Sequence, residues 1–223
     1  MVETDPLRVL VWSEGTAVGD VYPQDINGTI ATYLNGRNDI VAETGSIDDE
    51  DQGVPQSTLD RVDAVVWWGH LKHDDVTDET VERIVDGVES GSVGFIALHS
   101  AHYARPFTEL IGASGDLGDV RTVDGETERI VVNEPDHPLA RGIDDFALPQ
   151  VEMFGEPFDI PSPESAVLTS TFSEGGTFRS GVTFTIGAGR VVYLRPGHEE
   201  FRIYHDQNVR RLIDNAVRWV ADR

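Results

Sequence analysis

Short, almost wholly apolar runs separated by stretches of helical periodicity constrain this chain more than any other feature. Residues 7–12 form the first run, and residues 23–34 follow with Ile26, Ile30, Tyr33 and Leu34 on a helical stripe. Residues 39–43 read as a weaker strand and residues 47–52 as an acidic loop. Residues 62–68 are apolar apart from Asp63, the pattern of a strand covered on both faces. Residues 77–88 place Val81, Ile84, Val85 and Val88 on one side of a helix, with Thr77 or Asp78 as its cap. Residues 93–98 are a second buried strand, running straight into His99 and an amphipathic segment through Leu110. Strand and helix alternating with crossovers of this length predict a parallel, doubly wound sheet. Between residues 128 and 184 the signals change to short strands punctuated by Pro and Gly, which predicts an antiparallel extension or flap. A strand over 189–194 and a helix over about 206–221 return the pattern to α/β. A length of 223 residues without a repeat or linker fits one domain spanning 1–223.

Four of the seven histidines fall just past predicted strands: His70 in VVWWGH, His99 and His102 in FIALHSAH, and His198 in VVYLRPGHE. Ligands of open α/β sheets bind outside the carboxyl ends of the strands, so three strand ends would deliver imidazoles to one crevice. Around His99 the chain has the form of a strand turning sharply into a helix, where hydrolases of this architecture present a nucleophile. The apex holds His99 and Ser100, and with neither G-x-S-x-G nor cysteine there is no support for covalent chemistry. Trp67 and Trp68 point to opposite faces if the strand continues through them, so either one lines the crevice or both are core. In RPGHEE, Arg195 and His198 precede Glu199 and Glu200; a histidine beside carboxylates supplies a base with its orienting partner, or two metal ligands. Glu152, Glu156 and Asp159 stand among apolar residues in VEMFGEPFDIP, where an unpaired carboxylate is costly, and are candidates for substrate hydroxyls or for supporting a metal. His73 reads as a surface residue, His137 as part of a turn, and His205 as a cap or surface group.

The absence of cysteine leaves His, Asp, Glu and water as the ligands available to any metal. Forty acidic against seventeen basic residues give a formal charge of −23, a field that repels nucleic acid phosphates and anionic membranes alike. The acids are dispersed along the chain and Lys72 is its only lysine, a composition that fits a halophile's surface, where salt screens the self-repulsion. No segment approaches the ~18 consecutive apolar residues of a membrane span, and the N-terminal stretch begins acidic rather than basic, so the expectation is a soluble, cytoplasmic protein.

In this order and across nearly the whole chain, VYPQDING, DAVVWWGH, ALHSAH, DHPLARGI, VEMFGEPFDIP, FRSG and YLRPGHE resemble the ThuA-like family associated with trehalose utilisation. The resemblance implies the class I glutamine amidotransferase-like fold, a flavodoxin-like three-layer α/β sandwich with a mainly parallel sheet. In amidotransferases the elbow carries a catalytic cysteine; the matching position here is His99, so amidotransfer by thiolate is excluded. Their later His-x-Glu is similar to His198 and Glu200. Family members often carry basic residues and histidine in the first loop, where this chain has Ser13, Glu14, Gly15 and Thr16, so no role is transferred there.

Together these features predict an enzyme of carbohydrate utilisation, acting on a trehalose-like glycoside or its keto derivative by metal-assisted hydrolysis or isomerisation. His70, His99 and His198 are the expected ligands of zinc or a similar divalent ion, because such ions accept imidazole and carboxylate donors and keep an open position for substrate. His102 with Glu199 or Glu200 would be acid/base or orienting groups, and Trp68, Glu152, Glu156 and Arg195 would face the sugar. The expected partner is a small-molecule sugar, with a homo-oligomer as the commonest assembly. Two alternatives stand: His99 and His198 as a metal-free acid/base pair, and a non-catalytic sugar-binding or assembly module on the same scaffold.

Overall fold

The computed structural model describes residues 5–222. Met1 to Thr4, which open the acidic N-terminal stretch noted above, lie outside the described residues, as does Arg223. The parallel half of the sheet comes from β1 (Leu7–Ser13), β2 (Ile40–Ser46), β3 (Ala64–Trp68), β4 (Gly94–Leu98) and β11 (Gly189–Leu194). Every residue of β3 and β4 is buried, as the uninterrupted apolar runs require. The antiparallel half comes from β6 (Glu128–Val132), β7 (Phe146–Leu148), β9 (Ser165–Phe172) and β10 (Thr177–Ile186). Among the described residues these nine strands form one sheet in the order β2-β1-β3-β4-β11-β10-β9-β6-β7. The first five are parallel and follow the flavodoxin order 2-1-3-4-5, with β11 in the fifth place. A separate antiparallel ribbon joins β5 (Leu117–Thr122) to β8 (Glu152–Phe158).

Helices cover both faces. On one side α1 (Asp25–Leu34) packs with α5 (Gln207–Ala221); on the other α3 (Asp78–Glu89) packs with α4 (Arg105–Ile111), beside the short α2 (Gln56–Leu59). Thr77 caps α3 by accepting the Thr80 amide, and Asp206 caps α5 by accepting those of Asn208 and Val209. The segment after His99 is not one helix. A 3-10 turn over His99–Tyr103 stops at extended Ala104, and Pro106 in the first turn restarts the chain as α4. Two indoles fill the centre of the parallel half, where Trp12 stacks on Trp67 with ring centroids 3.6 Å apart. No described helix is long and apolar enough to cross a membrane.

Candidate functional site

β4 delivers His99 to the carboxyl edge with φ of +52°, a left-handed conformation uncommon outside glycine. Several contacts hold it there. The ring lies against Phe154 of β8 with centroids 4.8 Å apart, and Nδ1–H donates to the Arg195 carbonyl at 3.1 Å. The Arg195–Pro196–Gly197 turn can pass this close because Gly197 has no side chain. A Cβ there would fall 2.9 Å from His99 Cγ and would also collide with the Tyr204 hydroxyl.

From His99 a line of titratable groups runs along the edge. Its Nε2 lies 3.3 Å from Glu152 Oε2, and its ring centroid lies 5.6 Å from that of His198. One ligand atom each from His99, Glu152 and His198 fall within 4.8 Å of one another. His198 Nδ1 accepts the Glu200 amide at 3.0 Å and stands 3.7 Å from Glu199 Oε2. Glu199 Oε1 is in turn 3.5 Å from His70 Nε2, whose ring reaches Ser100 Oγ through Nδ1 at 3.0 Å. The structure thus brings together His99, His198, Glu152, Glu199 and His70. Within this line Glu152, expected to face the sugar, stands with the two buried imidazoles, and His70 joins them only through Glu199.

Burial and bonding set the charges. Burial opposes ionisation of Glu152, but the His99 contact outweighs it and holds the carboxyl at about 2. Burial also pushes His99 below the ordinary histidine range, against the pull of Glu152, and lowers His198, with His99 adding to the effect. Because the Arg195 carbonyl can only accept, His99 keeps its proton on Nδ1, and Nε2 points at the Glu152 carboxylate, where a shared cation, a proton or a metal ion, is what holds that carboxyl low. That Nε2 atom is buried without a hydrogen-bond partner.

Other expected site residues are placed differently. Arg195 is fully buried and points away from the crevice: its guanidinium pairs with buried Glu128 and donates to the Glu152 carbonyl, while Ser170 donates to the same Glu128. An unpaired guanidinium inside the sheet would be prohibitively costly, and Glu128 provides the partner. Arg195 therefore positions Glu152 by its side chain and His99 by its carbonyl. Glu156 turns to Arg179, which donates from Nε at 2.8 Å and from Nη2 at 2.9 Å, and this bidentate pair takes it out of the cluster. His102 is buried, donates Nδ1–H to the Gly115 carbonyl at 2.8 Å, and is held by burial at about 3, which leaves it neutral and walled in by Tyr103, Phe154 and Phe158. Glu200 offers its amide to His198, but its side chain is exposed. Of the two adjacent acids it is Glu199 that turns inward. Trp68 is buried beneath His70, with centroids 6.4 Å apart, and does not line the surface of the crevice.

Three placements depart from the sequence reading or were missed by it. Glu14, in the loop from which no role was transferred, is buried and accepts the amides of His70, Leu71 and Lys72 at 2.7 to 2.9 Å, while Lys72 Nζ bonds back to the Glu14 carbonyl. The only signal was an acid directly after an apolar strand. His73 is half-buried, with Nε2 hidden from solvent, rather than a free surface group. His205 bonds the Val21 carbonyl, and the cap of α5 is Asp206. His137 takes the turn role read for it, accepting the Leu139 amide.

A flavodoxin-ordered sheet with a histidine at the elbow and a second histidine after the fifth parallel strand defines an α/β protein of flavodoxin-like order that has no cysteine to serve as a nucleophile. Residues 8–220 match the ThuA family, described as trehalose utilisation, and the chain belongs to that family. The fold is similar to that of a ThuA-like protein from Bacteroides uniformis, with a TM-score of 0.72 at 16% identity over 99% of this chain and 93% of that one. A GMP synthase subunit from Thermoplasma acidophilum superposes with a TM-score of 0.54 at 12% identity, covering 96% of this chain and 94% of that one. A cold-adapted β-galactosidase from Rahnella sp. R3 gives 0.62 at 14% identity, over 96% of this chain but 31% of the enzyme. No curated protein matches the sequence. At these identities the structural likenesses show the fold, and membership of the trehalose utilisation family ties the chain to carbohydrate utilisation.

Proposed function

We propose that the chain is a metal-assisted sugar enzyme, acting on a trehalose-like glycoside or its keto derivative by hydrolysis or isomerisation. One observation carries this reading: buried His99 Nε2 faces the Glu152 carboxylate at 3.3 Å. A buried imidazole nitrogen this close to a half-buried carboxylate oxygen calls for a cation between or beside them. His99 and Glu152 would hold a divalent ion, with the Arg195 carbonyl fixing the His99 tautomer as outer-shell partners of metal-bound histidines do. His198 would be the third ligand in the tautomer that releases the Glu200 amide; in the tautomer that keeps it, Nε2–H is a hydrogen donor facing the substrate.

When bound, such an ion supplies Lewis acidity toward a carbonyl or a water molecule. Proton transfer falls to His70, which is more exposed than the other two imidazoles. Glu199 stands beside its Nε2 and stabilises the imidazolium formed when it takes a proton, and Ser100 fixes the opposite ring nitrogen. A metal-free acid/base role suits His99 poorly, since its two nitrogens already face the Arg195 carbonyl and Glu152.

Zinc titration with elemental analysis tests the assignment. We expect one ion per chain, lost in His99→Ala and Glu152→Gln and retained in His70→Ala, which should instead lower turnover by about 10²–10⁴-fold. Purified protein without stoichiometric metal, together with turnover of a trehalose-derived substrate that survives chelation, would sink the reading.

A further inference from the structure

Ser100 enters the chemistry above only as a support for His70, yet its placement is that of a nucleophile. β3 and β4 run parallel with Trp68 paired to Leu98, so His70 and Ser100, each two residues past that rung, emerge side by side. The left-handed backbone at His99 turns the chain sharply as it leaves β4, and Ser100 is the next residue, beside the apex where a strand-to-helix turn presents a nucleophile. No G-x-S-x-G surrounds it, so the pairing with His70 is visible only in the fold.

Among the described residues the Ser100 hydroxyl has one hydrogen-bond partner, His70 Nδ1 at 3.0 Å. Across the same ring, Glu199 Oε1 stands 3.5 Å from Nε2. A carboxylate there favours the ring proton on Nε2, which leaves the Nδ1 lone pair to take the proton of the serine. Acid, imidazole and hydroxyl thus follow one another in the order that activates an otherwise weak alcohol nucleophile. The imidazole is anchored through its own backbone, since the His70 amide donates to Glu14 at 2.8 Å. Access is narrow: Ser100 is 5% exposed, beside a His70 side chain that is 27% exposed. So little open surface favours a short acyl group over a long chain.

We infer that Ser100 is the nucleophile of a further activity, the hydrolysis of small carboxylic esters, with His70 as its base. Ser100 Oγ attacks the acyl carbon as its proton passes to His70 Nδ1; the C–O bond to the alcohol then breaks, the alcohol leaves with that proton, and the acyl group stays on Oγ. Water attacks the same carbon by the same route, giving one proton to His70, which returns it to Oγ as the carboxylic acid departs. Neither an ion nor a sugar takes part, so this activity stands or falls separately from the sugar chemistry. The test is a fluorophosphonate probe on the full chain, with mass mapping of the labelled residue, beside turnover of p-nitrophenyl acetate and p-nitrophenyl octanoate. We expect one label per chain, on Ser100 and unchanged by chelation, a burst with the acetate, and acetate cleaved at least about tenfold faster than octanoate. Ser100→Ala should lose both label and burst, and Ser100→Cys, which restores a nucleophile at the same position, should recover the burst. His70→Ala should slow labelling by about 10²–10⁴-fold with the serine still in place. No label, a label on another residue, a burst that survives Ser100→Ala, or a preference for octanoate overturns the inference.

Discussion

At the end of β1 a single carboxylate decides where His70 stands. Glu14 gathers three consecutive amides from the loop after β3, part-buried donors that without it would have only water to bond. Burial alone would raise its pKa, but the Thr16 hydroxyl and the three amides together outweigh that and hold the carboxyl below its ordinary value of 4.5. A folded pKa below the unfolded one means stability present above the unfolded value and lost as pH falls through the folded one. Glu14→Gln should therefore cost about 1–3 kcal/mol in urea unfolding at neutral pH, with the gap to wild type narrowing below roughly pH 4.5. The histidines at His70, His99 and His198 were legible because an imidazole after an apolar run breaks the pattern. Glu14 was not, since its work depends on β1 lying beside β3, a pairing no local window contains. The same is true of Glu152, which meets His99 only because β8 folds across from a distant part of the chain.

Among the elements, the last helix is the one whose seating the sequence states most openly and explains least. Its apolar face from Val209 to Val220 is plain in the periodicity, whereas the reason it can lie so close to β4 is Gly94. A Cβ at that glycine would fall 2.7 Å from the Val220 carbonyl oxygen and collide with the Val220 side chain. Gly94→Ala should therefore destabilise by about 1–3 kcal/mol through overpacking, seen as a lower denaturation midpoint with an unchanged slope. β5 went unread because LGDVRT is largely exposed and carries no apolar alternation; it exists by pairing with β8. Arg195 was read as facing the sugar for a related reason. Its position after a buried strand is visible in sequence, but Glu128, the partner that draws it inward, lies on β6, three places along the sheet from β11.

For the molecule as a whole, the parallel order was readable because apolar runs and helical stripes alternate, and the antiparallel half because its turns are marked by Pro and Gly. What remained hidden was how the two halves share one site, since that depends on packing rather than on pattern. The net charge of −23 acts at this scale too. Its self-repulsion opposes the compact state until counter-ions screen it, so raising salt from low to multimolar should lift the melting temperature by roughly 5 °C or more, and a flat profile would count against adaptation to brine. The His99–Glu152–His198 trio also has a temporal meaning, because its members are spread over a hundred residues of chain. During translation the emerging polypeptide offers the first imidazole long before its two companions exist. The trio is thus completed only in the finished protein, and a protease nick between β8 and β11 would leave His198 joined to the other two by packing alone.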